Sequence, residues 1–190
     1  MNIPGLSVMS KRIATMGGAS QQDRMIKDKK LTFDRALKYS YQAAQVRKIG
    51  DENWVSALIN PNQLKQDYDD KIISIDFKYN FTVGDVFEWG NTGTKWLIYL
   101  QELTELAYFR GDVRKCSYEV EWLDGEEKKK TYLALKGPTE TRIKTGVKHN
   151  ISVDTPNASL SLLMPKNEDT LKYFKRYARF YLPLADDPYN

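Results

Sequence analysis

The single cysteine of the 190-residue sequence, Cys116, directly follows two basic residues, Arg114 and Lys115. Neighbouring cations lower the pKa of a thiol and favour the nucleophilic thiolate, so this position could carry covalent chemistry. In a β-strand, however, alternate residues point to opposite faces, which would turn Lys115 away from Cys116. Tyr118 and Trp122 would then share the face of the cysteine. We therefore predict a half-buried strand in which Cys116 packs as a small hydrophobic side chain.

The only histidine, His149, lies between Lys148 and Asn150 in a polar stretch. Histidine-based catalysis needs a base held by an orienting partner, and a structural zinc site needs four cysteine, histidine or carboxylate ligands. One histidine and one cysteine exclude the common zinc sites. We predict that His149 is an exposed loop residue.

Three aspartates, Asp67, Asp69 and Asp70, resemble the start of a calcium-binding loop. Such a loop also needs a glycine at its sixth position and a glutamate at its twelfth. Ile72 and Lys78 occupy these positions, so the match fails. An acidic helix end before a strand is the better interpretation.

The segment GNTGTKW resembles a phosphate-binding loop, but that motif has four residues between its glycines and a helix after its lysine. Gly90 and Gly93 are separated by two residues, and KWLIYL is typical of a strand. The segment predicts a hairpin turn. The carboxylate pairs are explained as solvated turns and faces; they are Glu102 with Glu105, and Glu126 with Glu127. We predict no catalytic, cofactor-binding or metal-binding residue and no enzymatic activity.

The elements that surround these residues predict a mainly β fold with short helices, of the α+β class. Five strands at short spacing follow Ile72, which is typical of a small antiparallel β-barrel or sandwich. An extended N-terminal arm and a long loop excursion would accompany this barrel. The predicted core residues are Trp89, Trp96, Ile98, Tyr118, Val120 and Trp122.

Three regions are expected along the chain. Residues 1–30 would form a basic arm, and residues 31–136 a small barrel core with short helices. Residues 137–190 would add a polar excursion, a strand, a helix and a closing strand that pack on the core. Local signals predict a helix over 31–40, a hairpin turn at 49–52, and helices capped by Asn60 and Asn167.

The basic residues are concentrated near the N-terminus. Residues 1–30 contain six basic and two acidic side chains, which accounts for the whole net charge of +4. Such an arm either orders on a partner or nucleic acid, or is a solvated tail that binds nothing. A second basic run, Lys128 to Lys130, follows the LDGEE turn. It would form the tip of a hairpin that faces the lumen of a ring-shaped assembly. The candidate partner or DNA contacts are Arg12, Arg24, Lys27, Lys29, Lys30, Lys128, Lys129 and Lys130.

The segments INPNQLKQDYDDKIISI, VGDVFEW, KWLIYL and AYFRGDVRKC resemble tailed-bacteriophage virion proteins of the neck, the head-closure or adaptor group. The resemblance covers residues 1–135 and implies a small barrel without catalytic residues. It implies a homo-oligomeric ring that binds the portal or an adjoining neck or tail protein and contacts packaged DNA non-specifically. The additional elements after Gly137 leave a tail, baseplate or capsid-associated role open.

The leading hypothesis is therefore a virion component, assembled in the host cytoplasm, that joins portal to tail as a ring. The alternative is a soluble nucleic-acid-binding module built on a small barrel. No apolar run approaches the ~20 residues that span a bilayer, and the N-terminus lacks the apolar region of a secretory signal. We expect no membrane partner, no cofactor and no secretion by that route.

Overall fold

The computed structural model describes residues 20–62, 69–136 and 161–179. This part of the chain is mainly antiparallel β-sheet with short helices, which confirms the predicted fold class. The helices are α1 (Gln21–Tyr39), a 3₁₀ turn (Phe77–Tyr79) and α2 (Glu168–Tyr173). The strands are β1 (Ala43–Lys48), β2 (Val55–Pro61), β3 (Asp70–Ile75), β4 (Val86–Trp89), β5 (Lys95–Gln101), β6 (Phe109–Asp124), β7 (Glu127–Leu135) and β8 (Leu162–Leu163).

Strands β1 to β6 pair in a closed circuit. The order is β3-β2-β1-β4-β5-β6, and β6 pairs again with β3, from Asp70 opposite Arg114 to Ile75 opposite Phe109. Each of the six strands therefore has a hydrogen-bonded neighbour on both sides. This arrangement leaves no open edge where the circuit closes.

The interior of the circuit is filled by residues that alternate along the strands, as the period of two requires. Phe87, Ile98 and Val113 come from three different strands and are fully buried. The interior cluster consists of Ala44, Val46, Val55, Ala57, Ile59, Ile73, Ile75, Phe81, Phe87, Trp96, Ile98, Phe109 and Val113. Of the predicted core residues, Trp96, Ile98 and Val120 are buried, and Trp89, Tyr118 and Trp122 are half-buried.

Beyond the circuit, β6 continues as one strand of a two-stranded ribbon. We define the ribbon as residues 116–124 of β6 together with β7, joined by the predicted turn at Asp124 and Gly125. The first part of β6 pairs with β3 and β5, and the second part pairs with β7. The same strand thus belongs to the closed circuit and to its extension.

The prediction that Cys116 shares a face with Tyr118 and Trp122 is wrong, because a β-bulge lies between Cys116 and Tyr118. Cys116 pairs with Ala134, but the next pair is Tyr118 with Leu133, so β6 advances two residues where β7 advances one. Paired residues share a face, and successive residues of β7 do not. Cys116 therefore lies on the face of Ala134, opposite to that of Tyr118.

The base of the ribbon covers the outside of β4 and β5. Val86 and Leu97 point outward from the circuit and pack with Tyr132 and Ala134 of β7. Cys116, Ile49 and Leu163 complete this second, smaller core. The ribbon is consequently fixed at its base by apolar packing.

Helix α1 begins ten residues before the predicted start, at Gln21, so part of the predicted arm is helical. Ser20 caps it: its side chain accepts a hydrogen bond from the Asp23 backbone, and Asp23 accepts one from the Ser20 backbone. This capping box supplies the missing partners of the first turn. Phe33, 3% exposed, stacks on Tyr108 at 4.5 Å between ring centroids and holds the helix against the circuit of strands.

The helix predicted to begin after Asn60 is wrong at its first residues, because Asn60 and Pro61 are the last residues of β2 and pair with Ile72 and Lys71. The cap predicted at Asn167 is confirmed. The predicted polar excursion, the closing strand and His149 lie outside the described residues. Neither described α-helix has the length and hydrophobicity that crossing a bilayer would require.

Candidate functional site

The candidate contact residues at the start of the chain fall into two groups. Lys29 forms an ion pair with Glu105 at 3.0 Å, and Lys30 forms one with Asp76 at 2.6 Å. These two lysines tie α1 to the loop before β6 and to the turn after β3. The hydrogen bond from Lys30 is the main reason that the pKa of Asp76 lies below its ordinary value. The positive charges of these two lysines therefore form ion pairs within the chain that stabilise the position of α1.

Arg24 and Lys27 form no ion pair with any carboxylate of the described residues. Two further cations that the sequence reasoning missed, Arg35 and Lys38, share this property. All four lie on the face of α1 opposite Phe33, because their spacings of three or four around Leu31 match the helical repeat. We name these four residues the basic stripe. Lys27, Arg35 and Lys38 are exposed and Arg24 is half-buried; Arg12 lies outside the described residues.

The three lysines of the second basic run divide between the two faces of the ribbon. Lys128 pairs with Glu121 at 2.6 Å, and Lys130 pairs with Glu119 at 3.2 Å, both on one face. Lys129 lies on the other face, opposite Trp122, 3.6 Å from Asp169 of α2. The neighbouring Asp169 carboxylate is the first reason that the pKa of Lys129 is raised. Each lysine thus has an acidic neighbour.

On the exposed face of the ribbon, the two strands carry side chains of opposite charge. The β6 strand contributes the acidic Glu119 and Glu121, and the β7 strand contributes the basic Lys128 and Lys130. Among the described residues, residues 116–124 pair only with β7, and residues 127–133 pair only with β6. The ribbon therefore has an acidic edge strand and a basic edge strand. An unpaired strand edge is a template for adding a strand from another chain.

Helix α2 covers the opposite face of the ribbon. Trp122 contacts Tyr173 and Phe174, with ring centroids 5.5 and 5.8 Å away. Lys172 donates to Asp124 at 3.0 Å. Hydrogen bonds from Tyr173 and then Lys172 hold the pKa of Asp124 below its ordinary value. These contacts brace the far end of the ribbon.

The thiol of Cys116 is deactivated rather than activated. Burial raises its pKa to about 12, and the cation that lowers it slightly is Lys95 of β5. A nucleophilic cysteine needs the opposite shift. The interpretation of Cys116 as a packing residue therefore stands, although it packs on the other face.

An apolar groove lies between α1 and the circuit of strands, with a volume of about 450 Å³ and walls that include Met25, Phe33, Leu58 and Tyr108. In the described ranges, no group of three or more histidine, cysteine or acidic side chains is arranged to hold a metal ion.

Comparison with known proteins finds no match: no protein-family model, no curated protein and no solved structure is significantly similar to this chain.

Proposed function

We propose that this protein is a structural, non-enzymatic component of a phage virion. It forms a ring in the neck that joins the portal to the tail and helps to retain or conduct packaged DNA. The polarised ribbon carries the proposal, because its two edge strands bear opposite charges and one copy can therefore dock on the next. The resemblance of the sequence segments of the circuit strands to head-closure and adaptor proteins supports the proposed location.

Rings form from heterologous contacts, in which one surface of a subunit binds a different surface of the next. The acidic β6 edge of one ribbon and the basic β7 edge of another are such a pair of surfaces. Glu119 and Glu121 of one copy would lie beside Lys128 and Lys130 of its neighbour. Opposite charges across adjacent strands contribute about 0.2–1 kcal/mol per pair, and main-chain hydrogen bonds add to this. Two acidic edges, in contrast, would repel.

The oligomeric state tests the ring. Size-exclusion chromatography with light scattering is expected to show a closed oligomer of one stoichiometry, alone or with the cognate portal protein. Electron microscopy of the virion is expected to locate the subunit at the neck. A strict monomer that ignores the portal protein and is missing from purified virions contradicts the proposal.

Charge-swapped variants test the edges themselves. Glu119→Lys/Glu121→Lys makes both strands basic and is expected to abolish assembly. Adding Lys128→Glu/Lys130→Glu restores the ion pairs within the ribbon with reversed polarity, so assembly of the fourfold variant should return. Wild-type and fourfold-variant copies should not mix, since every mixed junction joins like charges; native mass spectrometry measures this. Free mixing, or a folded fourfold variant that stays monomeric, contradicts edge docking.

A second candidate is a nucleic-acid-binding module that acts without a ring. The cations of the basic stripe favour it, because they form no ion pair within the described ranges. It differs from the first in its oligomeric state: DNA binding by a protein that remains monomeric with its portal protein would support the second candidate.

A further inference from the structure

The basic stripe differs from the lysines described above in that none of its four cations has an ion-pair partner in the part of the chain that the structure describes. Lys29, Lys30, Lys128, Lys129 and Lys130 have acidic partners within 4 Å, whereas Arg24, Lys27, Arg35 and Lys38 have none among the described residues. At a rise of ~1.5 Å per residue, the row extends for ~21 Å along α1. Four like charges this close repel one another, so a folded row of them favours an anionic partner.

We propose that the basic stripe binds the phosphate backbone of duplex DNA. Duplex DNA carries one negative charge per ~1.7 Å of its axis, so a straight row of ~21 Å can face several phosphates at once. Within the row, Leu31 is the one non-basic residue, so contact is with phosphates rather than by stacking on bases. Tyr39 and Tyr41, 85% and 92% exposed, follow Lys38 and bring hydroxyl donors of the kind that contact phosphate oxygens.

An anionic membrane is the other extended surface of negative charge. A helix that binds a membrane interface inserts an apolar face opposite its cations. The apolar face of α1 is already used, since Phe33 is 3% exposed and stacks on Tyr108. Between the cations the apolar side chain open to a membrane is Leu31; Met25 lies toward the groove, and Tyr39 and Tyr41 follow the last cation and bear hydroxyl groups. DNA therefore fits the stripe better than a lipid surface does.

This inference rests on the proposed function for the source of the DNA, which would be the packaged genome. The contact itself does not require ring closure, because the stripe lies on a single helix. Experiments can therefore disprove the ring and the DNA contact of the basic stripe independently of each other. A monomer that binds DNA through the stripe disproves the ring alone.

The test measures the affinity of the full chain for a short duplex DNA as a function of salt, by fluorescence anisotropy. Lys27→Gln/Arg35→Gln removes two stripe charges; Arg47→Gln/Lys48→Gln removes two ion-paired charges of β1, outside both α1 and the ribbon, and matches it in net charge. The stripe variant is expected to bind on the order of tenfold more weakly or worse at moderate salt, with a salt slope smaller by about 2. The control is expected to retain the wild-type slope. Circular dichroism verifies that both variants keep their helix content.

Equal losses in both variants would mean that only net charge matters and would overturn the proposal. It would also be overturned if the wild-type chain did not bind DNA at low salt, or if Lys11→Gln/Arg12→Gln abolished binding while the stripe variant did not weaken it. Vesicles with and without phosphatidylserine form a further arm. Stripe-dependent binding to anionic vesicles without binding to DNA would assign the surface to a membrane instead.

Discussion

Arg114 of β6 donates a hydrogen bond to Asp70 of β3 at 2.7 Å, between two side chains that are 9% and 2% exposed. The two residues are also register partners at the junction that closes the circuit of six strands. Tyr99 of β5 donates to the same carboxylate at 2.9 Å. The buried Asp70 carboxylate therefore connects β3, β5 and β6. It does so where β3 and β6, the two ends of the strand order, pair and close the circuit.

Removal of Arg114 is expected to destabilise the fold strongly. Arg114→Met would leave the Asp70 carboxylate buried without its cation, a change that costs about 3–5 kcal/mol. The double variant Asp70→Asn/Arg114→Met removes both charges and should recover much of this loss. Urea denaturation followed by tryptophan fluorescence measures both. A loss below about 1 kcal/mol for Arg114→Met, as for an exposed ion pair, would contradict the structural role.

The tryptophans provide a graded test of burial. Trp96 is 4% exposed in the interior cluster of the strand circuit, so Trp96→Ala is expected to cost about 3–5 kcal/mol. Trp122 is half-buried under α2, and Trp122→Ala should cost less. Trp54 is 43% exposed and stacks on Arg47, so Trp54→Ala should cost under about 1 kcal/mol. The denaturant midpoints of the three variants measure the order of their stability losses. A larger loss of stability for Trp54→Ala than for Trp96→Ala would contradict the expected order.

Local signals in the sequence predicted the hairpins well. The turns at 49–52, at Gly90 to Thr94 and at Asp124-Gly125 depend on adjacent residues, and each joins two strands in the structure. The early start of α1 also has a local signal, the Ser20 and Asp23 capping box, which the polar composition of the arm concealed. The boundary of a helix can thus be set by two polar side chains while its apolar face indicates only its middle.

Contacts between distant residues were not predictable in the same way. The bulge that moves Cys116 to the other face is a property of the pairing between β6 and β7, and strict alternation along β6 hides it. Lys29 meets Glu105 across 76 positions of sequence, so its role in anchoring α1 required the fold. The sequence identifies the basic residues. Only the three-dimensional structure shows which of them, like Lys29, form ion pairs with acidic neighbours and which belong to the basic stripe.

Acid is expected to weaken the attachment of α1 to the circuit of strands. Burial alone would raise the pKa of Glu105, but hydrogen bonds from Lys29 and the Ala107 backbone outweigh it and keep this pKa below the ordinary 4.5. The pKa of Asp76 lies below its ordinary 3.8, chiefly through Lys30. A folded state with lowered carboxyl pKa values binds fewer protons than the unfolded state. Stability from these pairs is therefore complete above the ordinary values and is lost as the pH falls through the lowered ones.

Thermal midpoints recorded from neutral pH to about pH 3 measure this loss. Asp76→Asn/Glu105→Gln should be less stable than the wild type at neutral pH and should lose less on acidification. Glu126→Gln, at the ribbon turn, is the control and should follow the wild type. Parallel acid profiles for the wild type and the double variant would show that these pairs do not anchor the helix.

Cys116 is expected to react slowly with thiol reagents while the protein is folded. With its pKa raised to about 12 by burial, the thiolate is on the order of 10⁻⁵ of the population at neutral pH. Unfolding in urea returns the thiol to an ordinary pKa near ~8.5, so Ellman's reagent should then react much faster. Cys116→Ser/Ser117→Cys moves the thiol to the adjacent exposed position and should react quickly in the folded protein. Equal rates for native and urea-unfolded wild-type protein would indicate that Cys116 is accessible and has an ordinary thiol pKa, against its position in the smaller core between the ribbon and strands β4 and β5.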